Sequence, residues 1–290
     1  MKKNPSVSEA QKISKRKKGI IKAKSEFFRA ARYGLTLQEH RIIYYAILVG
    51  QQDGKPFEPV TMSIREFKEL YNLKSEKYYT EICKLSKKLV GKVVEVTYKD
   101  DDGHHFLQAP WLLGIEYHLR NGAVTITPNP ELKRFFEGKP FTTSELAFLT
   151  YFKSQFAERL YELLKSMPLN QKPIFDFEPA ELCEKLAVPP SYRVNYADLR
   201  KYALAPAIRD INEFTDLDVQ LLEKRGGRGN KVQLACFYIK KKDVPKLADR
   251  VERGEFGPLL SEEEQITVLQ ELLGEELPGQ LALDGSEVTT

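Results

Sequence analysis

Pro179-Ala-Glu-Leu-Cys-Glu-Lys-Leu-Ala-Val188, then Asn195-Tyr-Ala-Asp-Leu-Arg-Lys-Tyr-Ala-Leu-Ala-Pro-Ala-Ile208, then Lys224-Arg-Gly-Gly-Arg-Gly-Asn-Lys231: the order of these stretches decides the fold. Pro179 suits the first turn of a short helix carrying Leu182 and Leu186, because proline lacks an N–H that would be unpaired there anyway. Asn195 can cap a long helix through Leu199, Ala203, Ile208 and Ile211. Pro206 predicts a kink or a local adjustment inside it. Leu217–Lys224 and Lys231–Lys240 read as a hairpin around the glycine-rich tip. A short helix, a long helix and a hairpin make a helix-turn-helix with a β wing.

The same order comes earlier in the chain. Thr36-Leu-Gln-Glu39 is a capping box opening a helix whose core positions are Ile42, Ile43, Ala46 and Ile47. Ser63-Ile-Arg-Glu66 is a second box, for a short helix ending near Tyr71. Ser75 can cap a third, with Tyr79, Ile82, Leu85 and Leu89 at helical spacing. Lys92–Lys99 and Phe106–His118 predict strands around Asp100-Asp-Asp-Gly103, and Ala123–Thr127 a further strand. At an offset of 115, Glu66, Phe67, Tyr71 and Leu73 fall on Glu181, Leu182, Leu186 and Val188. The fold expected is α+β, two tandem winged-helix domains. Thr142-Thr-Ser-Glu145 is a third box, from which a long helix is expected through Leu160, Leu163 and Leu164.

The ends differ from this body. Lys12, Lys15, Arg16, Lys17, Lys18, Lys22 and Lys24 crowd an N-terminal stretch read as a mobile basic arm, with order beginning near Phe27. Beyond Lys242, Glu262-Glu-Glu264 leads an amphipathic run, Ile266, Leu269, Leu272 and Leu273, read as a frayed helix before a disordered end. The organisation expected is an arm at 1–24, a first winged helix at 25–140, a second at 141–242, and a flexible acidic tail at 243–290. Asp243 to Thr290 holds 12 Asp and Glu against 3 Lys and Arg, leaving 42 Lys and Arg against 29 Asp and Glu in residues 1–242. A basic body with an acidic tail suggests a polyanion partner, with ordinary solubility charge as the alternative.

Of the 290 residues 42% are hydrophobic, enough for real cores. No run reaches the ~20 apolar residues of a membrane span, and the N-terminus lacks a signal-peptide core. Cys83, Cys183 and Cys236 lie far apart with no CxxC pair, which excludes a disulfide framework or zinc ribbon and suits a reducing cytoplasm. His40, His104, His105 and His118 make no His-x-His pair of the kind nicking enzymes use to hold a metal. His104 and His105 would point to opposite faces of a strand, so with Asp100–Asp102 they read more simply as a charged tip than as a metal site. Around Gly91-Lys92, Ser86 replaces the leading glycine of a P-loop and Val93 its Ser or Thr. No enzyme chemistry and no cofactor are expected.

Binding chemistry is plainer. A winged helix lays the start of its second helix in the major groove. Arg200 suits a guanine edge there, and Asn195 an adenine or a phosphate, with a solvated helix face as the alternative. Lys224, Arg225, Arg228 and Lys231 put four cations on a slim tip able to reach phosphates or a minor groove. In the first half Ser75, Lys77 and Tyr78 open the equivalent helix and Lys84, Lys87 and Lys88 continue it. Lysine without Arg or Asn suggests phosphate positioning.

Over residues 25–242 the chain resembles the iteron-binding replication initiators of theta-replicating plasmids. Leu35-Thr36…Glu39-His40-Arg41, Phe67…Tyr71…Leu73, and above all Arg159-Leu-Tyr-Glu-Leu-Leu164 carry the resemblance. Tyr196…Leu199-Arg200…Leu204-Ala-Pro-Ala-Ile208 and Thr215-Asp216 complete it. It implies monomers on direct repeats of an origin, a homodimer through the first domain repressing its own gene at an inverted operator, and recruitment of the host initiator and helicase. It assigns most base readout to the second domain, at Tyr192, Arg193, Asn195, Arg200 and Lys201. The cations at 200–201 are fewer than many relatives carry. Interior prolines like Pro206 are common in the family, which favours tolerance over a kink. The tail lies outside this resemblance, but Gln280-Leu281-Ala282-Leu283 is similar to the short peptide that bacterial proteins insert into the sliding clamp. The rival readings are a dedicated dimeric repressor and, from another class, a rolling-circle nickase.

Overall fold

The computed structural model describes residues 16, 18–63, 65–66, 84, 87–118 and 122–255. Strand β1 (Ile20–Lys24) leads directly into helix α1 (Ser25–Ala30). Helix α2 (Leu37–Gln52) starts at a complete capping box: Thr36 Oγ1 accepts from Glu39 N, and Glu39 Oε2 accepts from Thr36 N. Ile42, Ile43, Ala46 and Ile47 are buried, as their spacing requires. Strand β2 (Val60–Ser63) follows, and Ser63 Oγ accepts from Glu66 N. The expected helix starting at Ser75 lies largely outside the described residues, of which Lys84 and Lys87–Leu89 are helical. Then come β3 (Val93–Asp100), β4 (Gly103–Pro110), β5 (Leu112–His118), β6 (Ala123–Pro128), helix α3 (Lys133–Phe136) and β7 (Phe141–Glu145).

The second half runs α4 (Phe148–Tyr151), α5 (Ala157–Lys165), β8 (Ile174–Phe177) and α6 (Pro179–Lys185). Next, α7 (Tyr196–Asp198), a π-helical turn Leu199–Leu204 and α8 (Ala205–Phe214) continue without a break. Strands β9 (Leu217–Gly226) and β10 (Lys231–Lys241) and helix α9 (Leu247–Glu252) complete the described chain. Pro206 sits in the first turn of α8. Its missing N–H falls just after the π turn, a local adjustment of the bonding that lets the helix run on through the proline.

The sheets reveal the two wings. One sheet has the order β8-β10-β9 and another β2-β6-β5, so in each half the short strand before the helices pairs with the last strand of a hairpin. That places the wing of the first domain at β5–β6. The hairpin expected to be that wing, around Asp100–Gly103, is the separate two-stranded sheet β3–β4, and the expected strand Phe106–His118 is two strands broken at buried Trp111. The strength of its β-branched pattern made it conspicuous, but sheet order decides which hairpin completes a winged helix.

Three further expectations are corrected. The basic arm does not extend to Lys24: β1 pairs antiparallel with β7, Ile20 opposite Glu145 and Lys24 opposite Phe141. Arg16 contacts Tyr45 and Glu66, and Lys18 pairs with Asp249 and Glu252 of α9. The acidic segment after Lys242 is therefore ordered at its start, with Leu247 buried and its N–H donating to Glu145. Finally, Thr142–Glu145 caps no helix. Thr142 hydrogen-bonds Ser25 sideways at 2.8 Å, and Ser144 donates to Glu158. The long helix expected from this box is interrupted instead, because Asp210 Oδ2 accepts from the backbone N–H groups of Lys153 and Ser154 and holds the chain in a turn between α4 and α5.

The two winged helices are joined through α5. Arg159, only 2% exposed, donates to the carbonyls of Phe28 and Ala31 in the first domain and of Lys185 in the second. Its guanidinium lies over the Tyr33 ring, and Tyr33 donates to Glu162 at 2.6 Å. Arg41 donates across to Leu149 O.

Burial pushes the Glu158 and Glu162 carboxyls up to about 8, despite hydrogen bonds from Ser144 and Tyr33 that favour the charged forms. Burial, with the Arg159 charge second, lowers His40 to about 3. A carboxyl raised on folding stabilises fully below its unfolded pKa and loses that stabilisation as pH rises to its folded value. The window runs from 4.5 to about 8. His40 acts oppositely, removing stability as pH falls below 6.5 toward about 3. Denaturant unfolding of wild type from about pH 5 to about pH 9 should therefore show falling stability, and Glu158→Gln should reduce that slope by up to ~1.4 kcal/mol per pH unit. Identical slopes for the two proteins would refute the assignment.

Candidate nucleic-acid interface

The start of the α7–α8 helix and the β9–β10 wing face each other across an open groove of about 990 Å³, floored by Pro179, Ala180 and Cys183 of α6. Leu199 and Ala203 anchor the helix in the core, as expected, and leave Arg200 and Lys201 on the outer face. The wing tip reverses through Gly227, Gly229 and Asn230, all at positive φ, and Gly229 has open space around it. A β-bulge between Val232 and Leu234 skews the ribbon near the tip.

The readout candidates divide by what already holds them. Asn195 is the N-cap: its Oδ1 accepts from Asp198 N at 2.9 Å and its Nδ2 donates to Asp198 Oδ2 at 2.8 Å. Both amide atoms that an adenine would need are thus engaged. Arg193 donates to the carbonyls of Val188 and Cys183, tying the inter-helix turn to the end of α6. Tyr192 stacks on Tyr202 with centroids 5.0 Å apart, and Lys201 lies over the other aromatic of that pair, 4.7 Å from the Tyr202 centroid. Arg200 is 59% exposed, and its Nε lies 3.5 Å from Glu223 Oε1, an ion pair without a hydrogen bond.

On the wing, Lys224 pairs with Asp176 of β8 at 2.7 Å, and Arg225 with Glu223 at 2.6 Å. Arg228 and Lys231 are exposed and form no ion pair among the described residues. In the first domain Lys84, Lys87 and Lys88 are exposed, while Ser75, Lys77 and Tyr78 lie outside the described residues. So do Gln280, Leu281 and Leu283. His105 pairs with Asp100 at 2.7 Å at the β3–β4 tip, and no cluster of three potential metal ligands occurs among the described residues. Nor is any described helix long and apolar enough to cross a membrane.

Two residues of the groove escaped the sequence reading. Val194, the residue before the N-cap, is 79% exposed and could offer a thymine methyl an apolar contact. Glu223 sits on the inward-facing side of β9, in line with buried Leu217 and Val219 and half-buried Leu221. Its signal was present as a charge at the end of an alternating apolar row.

The family model described as initiator replication protein, WH1, matches residues 20–165, and that described as initiator Rep protein, WH2, matches residues 179–239. Among solved structures, the fold is similar to the Pi initiator protein, crystallised in complex with iteron DNA, at 17% identity and a TM-score of 0.58, over 79% of this chain and 99% of that one. Domains 2 and 3 of RctB align at 16% identity over 74% of this chain and 86% of theirs, TM-score 0.43. The WH1 domain of MSBI1.176, a replication protein isolated from a multiple sclerosis patient, aligns at 23% identity over 34% and 77%, TM-score 0.30. No curated protein matches the chain.

The cap geometry of Asn195 generates an expectation of its own. Asn195→Ser keeps a cap oxygen, whereas Asn195→Ala removes it and should cost ~0.5–2 kcal/mol of stability. If capping is the whole role of Asn195, the serine variant binds DNA with unchanged base preference in a competition assay. Loss of preference at one A·T pair would instead show the amide reading a base.

Proposed function

The chain belongs to the initiator replication protein family, and from that premise we propose that it binds double-stranded DNA at direct repeats of a replication origin and starts replication there. The observation carrying this reading is the groove itself, with the start of a helix and a cationic wing on its two sides. A helix start fits the major groove, where Arg200 and Lys201 reach base edges, while Arg228 and Lys231 on the tip take neighbouring phosphates. Lys224 and Arg225 support the wing, each already held by a carboxylate. Tyr192, Arg193 and Asn195 shape the start of the reading helix. The exposed Lys84, Lys87 and Lys88 give the first domain a second, sequence-indifferent grip.

This function needs no catalytic residue or cofactor. Opening the origin hands the DNA to the host initiator and helicase, and the Gln280, Leu281 and Leu283 segment offers a route to the sliding clamp. Plasmid maintenance tests it: the gene with its flanking repeats should sustain a replicon lacking any other initiator, whereas a dedicated repressor would not, and a nickase would relax supercoiled plasmid.

At the level of residues, Arg200→Ala should cost ~1–3 kcal/mol on the cognate repeat and relax preference at one base pair. Arg228→Ala should weaken binding to all sequences alike and lower the salt slope by about one. Equal losses for Arg200→Ala on cognate and random duplexes would overturn the division of labour.

Autorepression as a dimer through the first domain completes the proposal. Sedimentation should reveal concentration-dependent dimers, with weaker repeat binding as protein concentration rises. A strictly monomeric chain throughout the micromolar range would remove the dimer from the scheme.

A further inference from the structure

Glu223 is out of place by the rule that governs its strand. Leu217, Val219, Leu221 and Glu223 alternate along one face of β9, and the first two are fully buried. Opposite Glu223 on β10 stands buried Ala235, too small to engage it. The side chain is 15% exposed, lying beneath the helix start in a groove read as a DNA site, where phosphates would repel it. A carboxylate there is doubly costly unless it does something for the surface above it.

Its contacts show what that is. Oε2 accepts from Arg225 Nη2 at 2.6 Å and Nε at 3.2 Å. Oε1 is buried, has no hydrogen-bond partner, and stands 3.5 Å from Arg200 Nε. The Tyr196 hydroxyl is likewise buried without a hydrogen-bond partner, and after burial Glu223 is the next cause driving it up to about 12. One carboxylate is thus shared by two arginines, one from the helix and one from the wing. Among the described residues Arg200 forms no other ion pair, and this one, made at Nε by charge without a hydrogen bond, leaves the two Nη groups of the guanidinium for a ligand.

We propose that Glu223 is a positioning residue for base readout: its charge draws the Arg200 guanidinium back toward one orientation over the groove and ties the wing, through Arg225, to the same anchor. This rests on the reading of the groove as the DNA interface and names a determinant of its specificity. An arginine held in one rotamer before binding loses less freedom on docking. The benefit falls on the one base pair whose two acceptors match that orientation. Non-specific binding, which needs only charge near phosphates, gains nothing from the hold and is weakened by the carboxylate.

The test is selection of binding sites from a randomised duplex library by the full chain, for wild type, Arg200→Ala, Glu223→Gln and Glu223→Asp, with thermal melts confirming that each is folded. Glu223→Gln keeps the length and removes the charge. Preference at the Arg200-dependent base pair should fall about three- to tenfold, while affinity for random duplex rises and the salt slope steepens by about one. Glu223→Asp keeps the charge but shortens the reach, so it should lose the same preference with the wild-type salt slope. If Glu223→Gln tightens selected and random duplexes by the same factor, or Glu223→Asp selects the wild-type motif at full strength, Glu223 only repels phosphate and the proposal fails. A motif eroded by Arg200→Ala but intact in Glu223→Gln overturns the proposal alone. A wild-type chain that selects no motif overturns the reading of the groove and this proposal with it.

Discussion

The Arg159 guanidinium is the interaction on which the arrangement of both domains depends. Burying a charge so completely costs several kcal/mol unless every donor direction is used well. Here the cost is offset by three backbone carbonyls from two segments, Phe28 and Ala31 at the end of α1 and Lys185 at the end of α6, and by the face of Tyr33, with only Nη1 left without a hydrogen-bond partner. Those carbonyls sit at the ends of α1 and α6, where helices leave acceptors unpaired. One side chain therefore satisfies the orphaned ends of elements from both domains. A hydrophobic residue could fill the volume, but it would leave the carbonyls buried and bare. The groove opens on the same α6, so the floor of the interface is fixed by the joint behind it.

Much of this was legible before the structure, and the reasons differ from element to element. The α2 capping box and its buried Ile42, Ile43, Ala46 and Ile47 were readable because local chemistry and periodicity agree there. The second wing was readable because few structures other than a tight turn accommodate its run of glycines. By contrast, β2, β7 and β8 are four or five residues long and gain their identity only from partners far along the chain. Thr142–Glu145 misled for a related reason. A box of side chains that could cap a helix is equally able to bond sideways, and Ser25 and Glu158 settle the competition.

The site was legible to a similar degree. Residue type alone nominates Arg200 and the wing cations, because they are long, charged and near a helix start or a turn. It does not reveal that Arg193 is spent on the carbonyls of Val188 and Cys183, which the turn after α6 brings to it only on folding, whereas Asn195 keeps the capping role read from the sequence by bonding Asp198 three residues on. Glu223 left only a faint signal, a charge ending an alternating apolar row. Its importance lies in which face of β9 it occupies, and that face is set by the pairing of β9 with β10.

The pairing of β1 with β7 has a consequence in time. Strand β1 leaves the ribosome well before its partner, which is made roughly 120 residues later, or at ordinary rates of synthesis roughly 6 to 24 s. Throughout that interval β1 exposes both edges, and Ile21 and Ala23 have no sheet to close over them. The charges at Lys22 and Lys24, set among the apolar residues of that strand, are then its protection against pairing with another nascent chain on the same message.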